Sequence, residues 1–250
     1  MRKPLMAGNW KMNKTVPEAI NVVKSLKSAV ASVSGVEILI CPAFTALYAV
    51  SNEIKGSNIN LGAQNLFWEA KGAFTGEISL EMLKDAGCSY VIIGHSERRQ
   101  HFGETDETVN KKTKAALAAG ITPVVCVGET LKEREGNVTF KVIEKQVRVG
   151  LSGISPQQAS LAVIAYEPVW AIGTGKTATP DQAQEVHSFV RKIYEQMYKE
   201  SAEKVRILYG GSVNPNNVSD LMKKTDIDGG LVGGASLEAE SFAKLVEYSK

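Results

Sequence analysis

What this chain lacks narrows it first. It has no apolar run long enough to span a bilayer. Met1-Arg2-Lys3-Pro4 leads into only a short apolar stretch, so no signal peptide is expected. Cysteine is scarce: Cys41, Cys88 and Cys126 are far apart and odd in number. That argues against a disulfide framework and fits reduced, buried thiols in a cytoplasmic protein. The acceptor-like triplets at Asn13, Asn137 and Asn217 then carry no weight. No block of one charge occurs, because 29 basic and 27 acidic residues are interspersed for a net +2. Aromatics are not interleaved with Arg or Lys, so neither nucleic acid nor a membrane is expected as a partner. No Pro/Ser-rich linker, low-complexity segment or composition shift divides the 250 residues, so one domain over 1–250 is expected. No cluster of His, Cys, Asp and Glu has metal-ligand spacing, so no metal is expected.

What is present is a β/α rhythm. Short apolar runs fall at 5–9, 36–41, 59–63, 90–94, 122–127, 161–166, 205–209 and 230–232. Several are continuously apolar, which suits parallel strands covered by helices. Between them lie helical patterns. Ile20, Val23, Leu26, Val30 and Val33 recur at helical spacing before Gly35. Thr179-Pro180-Asp181-Gln182 is a capping box with proline at the first helical position. Asn214-Pro215 reads as the cap and first turn of another helix. Eight such units predict an α/β fold, a closed (β/α)8 barrel, with a doubly wound open sheet as the alternative architecture.

One stretch organises the rest. The sixth run ends on Glu167, and Pro168 then stops the strand because it has no N–H to donate. Val169 to Ile172 is apolar, and the segment leaves through Gly173 and Gly175. A base under a movable cover has this form. The plainer reading is a buried structural Glu before an ordinary connection.

Active-site residues of a barrel come from the carboxyl ends of its strands. Those ends supply Asn9 and Lys11, then His95, Ser96 and Glu97, then Glu167, then Gly210-Gly211-Ser212, and last Gly233-Gly234. Burial would raise the Glu167 pKa toward ~6–7 and make it a general base. His95, opening a helical turn, would act as a neutral donor to a developing enolate oxygen. Lys11 offers a fixed charge for an anionic substrate. The two glycine turns expose N–H groups that suit a phosphate. Singly, each residue has a plainer reading: a surface His, a Lys paired with Glu97, glycines as in any α/β protein. Their gathering at one rim is what points to chemistry. His101 and His187 lack such a setting and read as structural or surface groups. Gly173-Thr174-Gly175-Lys176-Thr177 imitates a nucleotide motif but lacks the strand–turn–helix context, so no nucleotide cofactor is expected.

The third connection, residues 64–76 from Gln64 to Gly76, is long and carries Phe67, Trp68 and Phe74. Either it folds back on its own barrel or it is a protruding subunit interface.

Five stretches together resemble one family: Ala7-Gly8-Asn9-Trp10-Lys11-Met12-Asn13, Gly94-His95-Ser96-Glu97-Arg98-Arg99, Ala165 to Lys176, Tyr209-Gly210-Gly211-Ser212-Val213 and Gly233-Gly234-Ala235-Ser236-Leu237. They are similar to the triosephosphate isomerases, in order and from end to end of the chain. The resemblance implies interconversion of dihydroxyacetone phosphate and D-glyceraldehyde 3-phosphate through a cis-enediolate, without a cofactor. It implies Glu167 as base, His95 as neutral electrophile, Lys11 and Asn9 on the substrate, and Glu97 ordering Lys11. Backbone N–H groups of Gly173, Ser212, Gly233 and Gly234 would hold the phosphate, with residues 168–176 as lid. It implies a homodimer through the 64–76 loop, Thr75 reaching toward the partner's site near Lys11, and Arg98 in structural ion pairs. Two other readings remain on the residues alone: a Schiff-base aldolase using Lys11, and a phosphosugar-binding barrel without isomerase activity.

Overall fold

The computed structural model describes residues 2–171 and 177–248. Its strands are β1 Leu5–Asn9, β2 Glu37–Cys41, β3 Ile59–Ala63, β4 Tyr90–Ile93, β5 Thr122–Val127, β6 Val163–Tyr166, β7 Arg206–Tyr209 and β8 Gly229–Val232. Each pairs in parallel with the next, and β8 pairs with β1, so the sheet closes into a barrel. The open-sheet alternative falls, because a closed sheet leaves no edge.

The helices are α1 Val16–Ala29, α2 Leu47–Ile54, α3 Leu80–Asp85, α4 Ser96–His101, α5 Asp106–Ala118, α6 Leu131–Glu135, α7 Thr139–Gly150, α8 Pro156–Ala159, α9 Pro180–Tyr198, α10 Val218–Met222 and α11 Ala239–Val246. The capping box before α9 forms as expected: the Thr179 N–H donates to Gln182 and the Gln182 N–H to the Thr179 hydroxyl. The expected helix at Asn214-Pro215 begins instead at Val218. Asn214 accepts from the Asn216 N–H, and Asn217 accepts from the Asn214 N–H, so these amides close a turn before the helix starts.

Alternation along the strands builds two apolar layers. Leu5, Ala7, Leu39, Cys41, Tyr90, Ile92, Val124, Cys126, Val163, Ala165, Leu208 and Leu231 pack together inside the barrel. Their neighbours, such as Met6, Ile38, Ile40, Val125 and Ile164, pack outward against the helices. This period of two has a consequence at the carboxyl ends. The next inward position after Leu5 and Ala7 is Asn9, and after Val163 and Ala165 it is Glu167. The same count gives Gly210 after Leu208 and Gly233 after Leu231. The strand pattern that fills the core therefore also aims polar groups into the barrel mouth. The amino end is tied differently, by Arg206 and the Tyr90 hydroxyl, both donating to Glu37 at 2.5 Å.

The base of the 64–76 loop is anchored in the barrel through buried Leu66 and the Lys112–Asn65 hydrogen bond, while its aromatic rings stack on one another. Phe67 lies 4.1 Å from Trp68 and 4.6 Å from Phe74 between ring centroids. Its tip stays exposed, as do Met12, Tyr48, Met82 and Phe102.

Candidate active site

The site grows from β1 first. The Asn9 Oδ1 accepts the Lys11 N–H at 3.0 Å. Lys11 has φ +52°, a left-handed conformation unusual for a side chain with a Cβ. Gln64 holds it there, donating from Nε2 to the Lys11 carbonyl at 2.8 Å and to the Cys41 carbonyl at 2.9 Å. The Lys11 ammonium meets Glu97 at 2.6 Å. An ammonium already paired with a carboxylate is not the desolvated amine that Schiff-base chemistry needs.

His95 departs from the alternation. Gly94 adopts φ +72°, and this turn re-aims the next residue to cap α4. The His95 Nδ1 accepts the Glu97 N–H at 3.2 Å, which leaves the proton of the neutral ring on Nε2. That Nε2 lies 2.9 Å from the Glu167 Oε1. Burial disfavours a charge on His95, but the Glu167 carboxylate favours one, and the balance raises its pKa.

Glu167 is 2% exposed. Its Oε2 accepts the Ser96 N–H at 3.0 Å, and its Oε1 the Ser96 hydroxyl at 3.3 Å. Burial does raise its pKa, as expected, but His95 and the Ser96 N–H outweigh burial and the net direction is downward. The expectation of a raised value therefore fails for this arrangement. A carboxylate that accepts three hydrogen bonds stays ionised in spite of being buried.

Across the mouth, these groups share a cleft of about 560 Å³ with Gly210, Ser212, Gly233 and Gly234. A Cβ on Gly233 would touch the Lys11 chain at 3.5 Å, so the last glycine turn and the ammonium form one wall. Ser212 is fixed by its hydroxyl, which donates to the Ala171 carbonyl at 3.2 Å, and by Asn217, which donates to its carbonyl at 2.9 Å. Gly173 and the rest of 172–176 lie outside the described residues. Arg98 pairs with Glu104 at 3.0 Å, away from the cleft chemistry. Among the described residues, no group of three His, Cys, Asp or Glu could hold a metal ion.

Sequence reasoning missed Glu129. Its side chain is fully buried and accepts from Tyr166 at 3.2 Å, Trp170 at 2.9 Å and Arg134 at 3.0 Å. Its carbonyl accepts the Val169 N–H at 3.1 Å. Glu129 thus fixes the chain on both sides of Glu167. The strand-end rule would have found it, since it follows β5 by two residues. Gln64, in sequence only the start of the long loop, gives no local signal of its hold on Lys11.

A buried carboxylate and an imidazole sharing a proton, opposite a cation, are the parts of an acid–base site for an anionic substrate. The class is a (β/α)8 barrel enzyme. The family model of triosephosphate isomerase matches residues 4–249. The triosephosphate isomerase of Endomicrobium trichonymphae is 84% identical over 250 residues, covering all of both chains. That of Geotalea uraniireducens is 61% identical over 251 residues, again across both chains in full. The crystal structure of the Bartonella henselae triosephosphate isomerase superposes with a TM-score of 0.90 at 39% identity, covering 98% of each chain. The chain belongs to the triosephosphate isomerase family, and it is an isomerase.

Proposed function

We propose that Glu167 and His95 together move the proton that interconverts dihydroxyacetone phosphate and D-glyceraldehyde 3-phosphate. The observation that carries this reading is the 2.9 Å contact between the two side chains, both of which line the cleft. Substrate entering between them takes over both groups. The Glu167 carboxylate removes a proton from the carbon beside the carbonyl. The C–H electron pair becomes the C=C bond of a cis-enediolate, and the carbonyl oxygen gains the negative charge. The His95 Nε2–H donates to that oxygen, where a fixed donor is worth more than water. Protonated Glu167 then returns the proton to the neighbouring carbon. His95 gives its Nε2 proton to the former carbonyl oxygen and takes up the proton of the neighbouring hydroxyl in its place, so a new carbonyl forms as the old one becomes a hydroxyl and the steps balance without a cofactor or metal.

Lys11 and Asn9 bind the substrate, and Glu97 keeps the Lys11 ammonium in place. N–H groups of Gly173, Ser212, Gly233 and Gly234 hold the phosphate. Residues 168–176, of which 172–176 lie outside the described residues, are the lid that keeps the enediolate from water. Residues 1–250 act as one domain in the cytoplasm. A second copy of the chain covers the 64–76 loop. A cavity of about 220 Å³ lined by Lys11, Met12, Phe44, Gln64 and Phe102 is the seat for the partner's loop tip near Thr75.

The test is isomerisation of glyceraldehyde 3-phosphate, coupled to glycerol-3-phosphate dehydrogenase and followed by loss of NADH, with EDTA present. Fast turnover is expected, falling by ~10³ or more in Glu167→Gln. Undiminished turnover in that variant would remove Glu167 as the base. No turnover from folded wild type would leave only a phosphosugar-binding barrel.

A further inference from the structure

Beneath the strand ends that frame Glu167 lies a histidine that the chemistry above does not use. His187, on α9, is fully buried. Its ring stands edge-on to Tyr166, with centroids 5.8 Å apart at 84°. It also tilts against Tyr209, at 6.4 Å. The two tyrosines end β6 and β7 and face each other in register. Each is followed directly by a residue of the cleft, Glu167 after Tyr166 and Gly210 after Tyr209. The Gly210 N–H donates to the Tyr166 carbonyl at 2.7 Å. A Cβ on Gly210 would lie 2.9 Å from the Glu167 Cγ. The backbone carrying the carboxylate is therefore fitted without slack, and one imidazole supports both of its sides.

The tyrosines extend that support. The Tyr166 hydroxyl donates to Glu129, the same carboxylate that takes the Trp170 indole N–H. The Tyr209 hydroxyl lies over Gly211, where a Cβ would come within 2.3 Å of it and within 3.0 Å of the Pro168 ring. His187 thus reaches, through two side chains, the residues on either side of the base. The ring itself is pinned, because Nδ1 lies 3.1 Å from the Asp226 carbonyl. Its Nε2 has no hydrogen-bond partner among the described residues. Burial pushes its pKa down to about 4, so the ring is neutral at physiological pH. A polar ring is a costly filler for an apolar layer. What it supplies here is a rigid planar body packed against both tyrosines.

We propose that His187 is a positioning residue for the isomerase: its ring, set against both tyrosines, fixes the separation of the Tyr166 and Tyr209 strand ends, and so the placement of the Glu167 carboxylate. This rests on Glu167 being the base. The ring's described contacts are with Tyr166, Tyr209 and the Asp226 carbonyl, so kcat is expected to change more than KM.

The experiment compares two variants in the coupled assay, each normalised to folded protein by circular dichroism. His187→Phe keeps a ring between the tyrosines and drops the Asp226 contact. His187→Asn keeps a short donor and drops the ring. In His187→Asn kcat is expected to fall about tenfold, since a displacement well under 1 Å at the base costs that much, with KM within about twofold of wild type. His187→Phe is expected to keep kcat within about threefold. A merely structural role would lower the melting temperature of both and leave kcat per folded site unchanged. Wild-type kcat in His187→Asn, or equal losses in both variants, overturns the proposal. Should His187→Asn not fold, His187→Gln replaces it with the same expectation. Glu167→Gln is measured alongside. If it stays active, the reading of the base falls and this proposal falls with it. If it is inactive while His187→Asn is normal, only the role of His187 is lost.

Discussion

The Glu167 carboxylate rests on Ser96. Its Oε2 accepts the Ser96 N–H at 3.0 Å while its Oε1 meets His95 at 2.9 Å. The amide comes from the first residue of α4, so a helix start and an imidazole share one buried anion. Glu167 is thereby held ionised and ready to accept a proton, at the cost of leaving these partners when substrate arrives.

Shortening the base tests how tightly its placement matters. Glu167→Asp withdraws the carboxylate by one methylene from Ser96 and His95. We expect kcat to fall by ~10²–10³ with KM changed by less than about threefold. Steady-state rates in the coupled assay, in both directions, check this.

A methyl group pressed on the base from the opposite side should act similarly. The Cβ of Gly210→Ala would meet the Glu167 Cγ at 2.9 Å and the Tyr166 carbonyl at 3.1 Å. The side chain can give way, so the protein folds, with kcat lowered by ~10–100-fold. Gly128→Ala is the contrasting case. Its Cβ would fall 1.8 Å from the Glu167 carbonyl oxygen, which is backbone and cannot rotate aside. Soluble expression and melting temperature should separate the two, with Gly128→Ala failing to fold or melting far lower.

Arg134 is the cation opposite the fully buried Glu129, and its guanidinium also lies 4.5 Å over the Trp170 ring. Arg134→Met keeps most of the apolar stem and removes the charge. Loss of roughly 3 kcal/mol is expected, as for breaking a buried pair on one side. Urea unfolding followed by circular dichroism gives the value.

The pH dependence of stability should carry the mark of His187. The unfolded chain takes up its proton near ~6.5, the folded one only near about 4. Between these values the unfolded state binds more protons, so the His187 contribution falls as pH drops from ~6.5 toward about 4 and is flat above, while His95, whose pKa is raised, contributes stability that is lost as pH rises through its folded value. The loss reaches roughly 3 kcal/mol at ~1.4 kcal/mol per pH unit. Glu167, Glu37 and Asp226, whose pKa values are lowered, add their losses at still lower pH. Urea midpoints at pH 7, 6 and 5 should show the His187 slope in wild type and not in His187→Phe.

Charge placed on the exposed loop tests assembly. Thr75→Arg puts a cation at the exposed tip of a loop whose aromatic rings stack on one another, with Lys111 over Trp68. A monomer in sedimentation, with turnover at least about tenfold lower, is expected. An unaltered sedimentation coefficient for wild type and variant, matching one chain, would remove the dimer.

Most of the fold lies open in the amino-acid order. The apolar runs, the capping box at Thr179 and the strand-end cluster of Asn9, Lys11, His95, Glu97 and Glu167 are local signals, because each depends on side-chain periodicity or on turn chemistry within a few residues. Barrel closure follows from counting eight such units. The helix after Asn214 starts later than its cap-like sequence predicts, because competing amide side chains, not propensity, set where it begins.

The tertiary structure alone decided what depends on neighbours far along the chain. The downward direction of the Glu167 pKa comes from Ser96 and His95, about seventy residues earlier. Burial predicts the opposite sign, and only the count of donors around the carboxylate settles the balance. The strained Lys11 needs Gln64, the cover over Glu129 needs Tyr166, Trp170 and Arg134, and the His187 ring needs β6 and β7 side by side. A sequence lists charges and donors in one dimension; electrostatic free energy depends on their separation and their shielding from water, which only the closed barrel fixes.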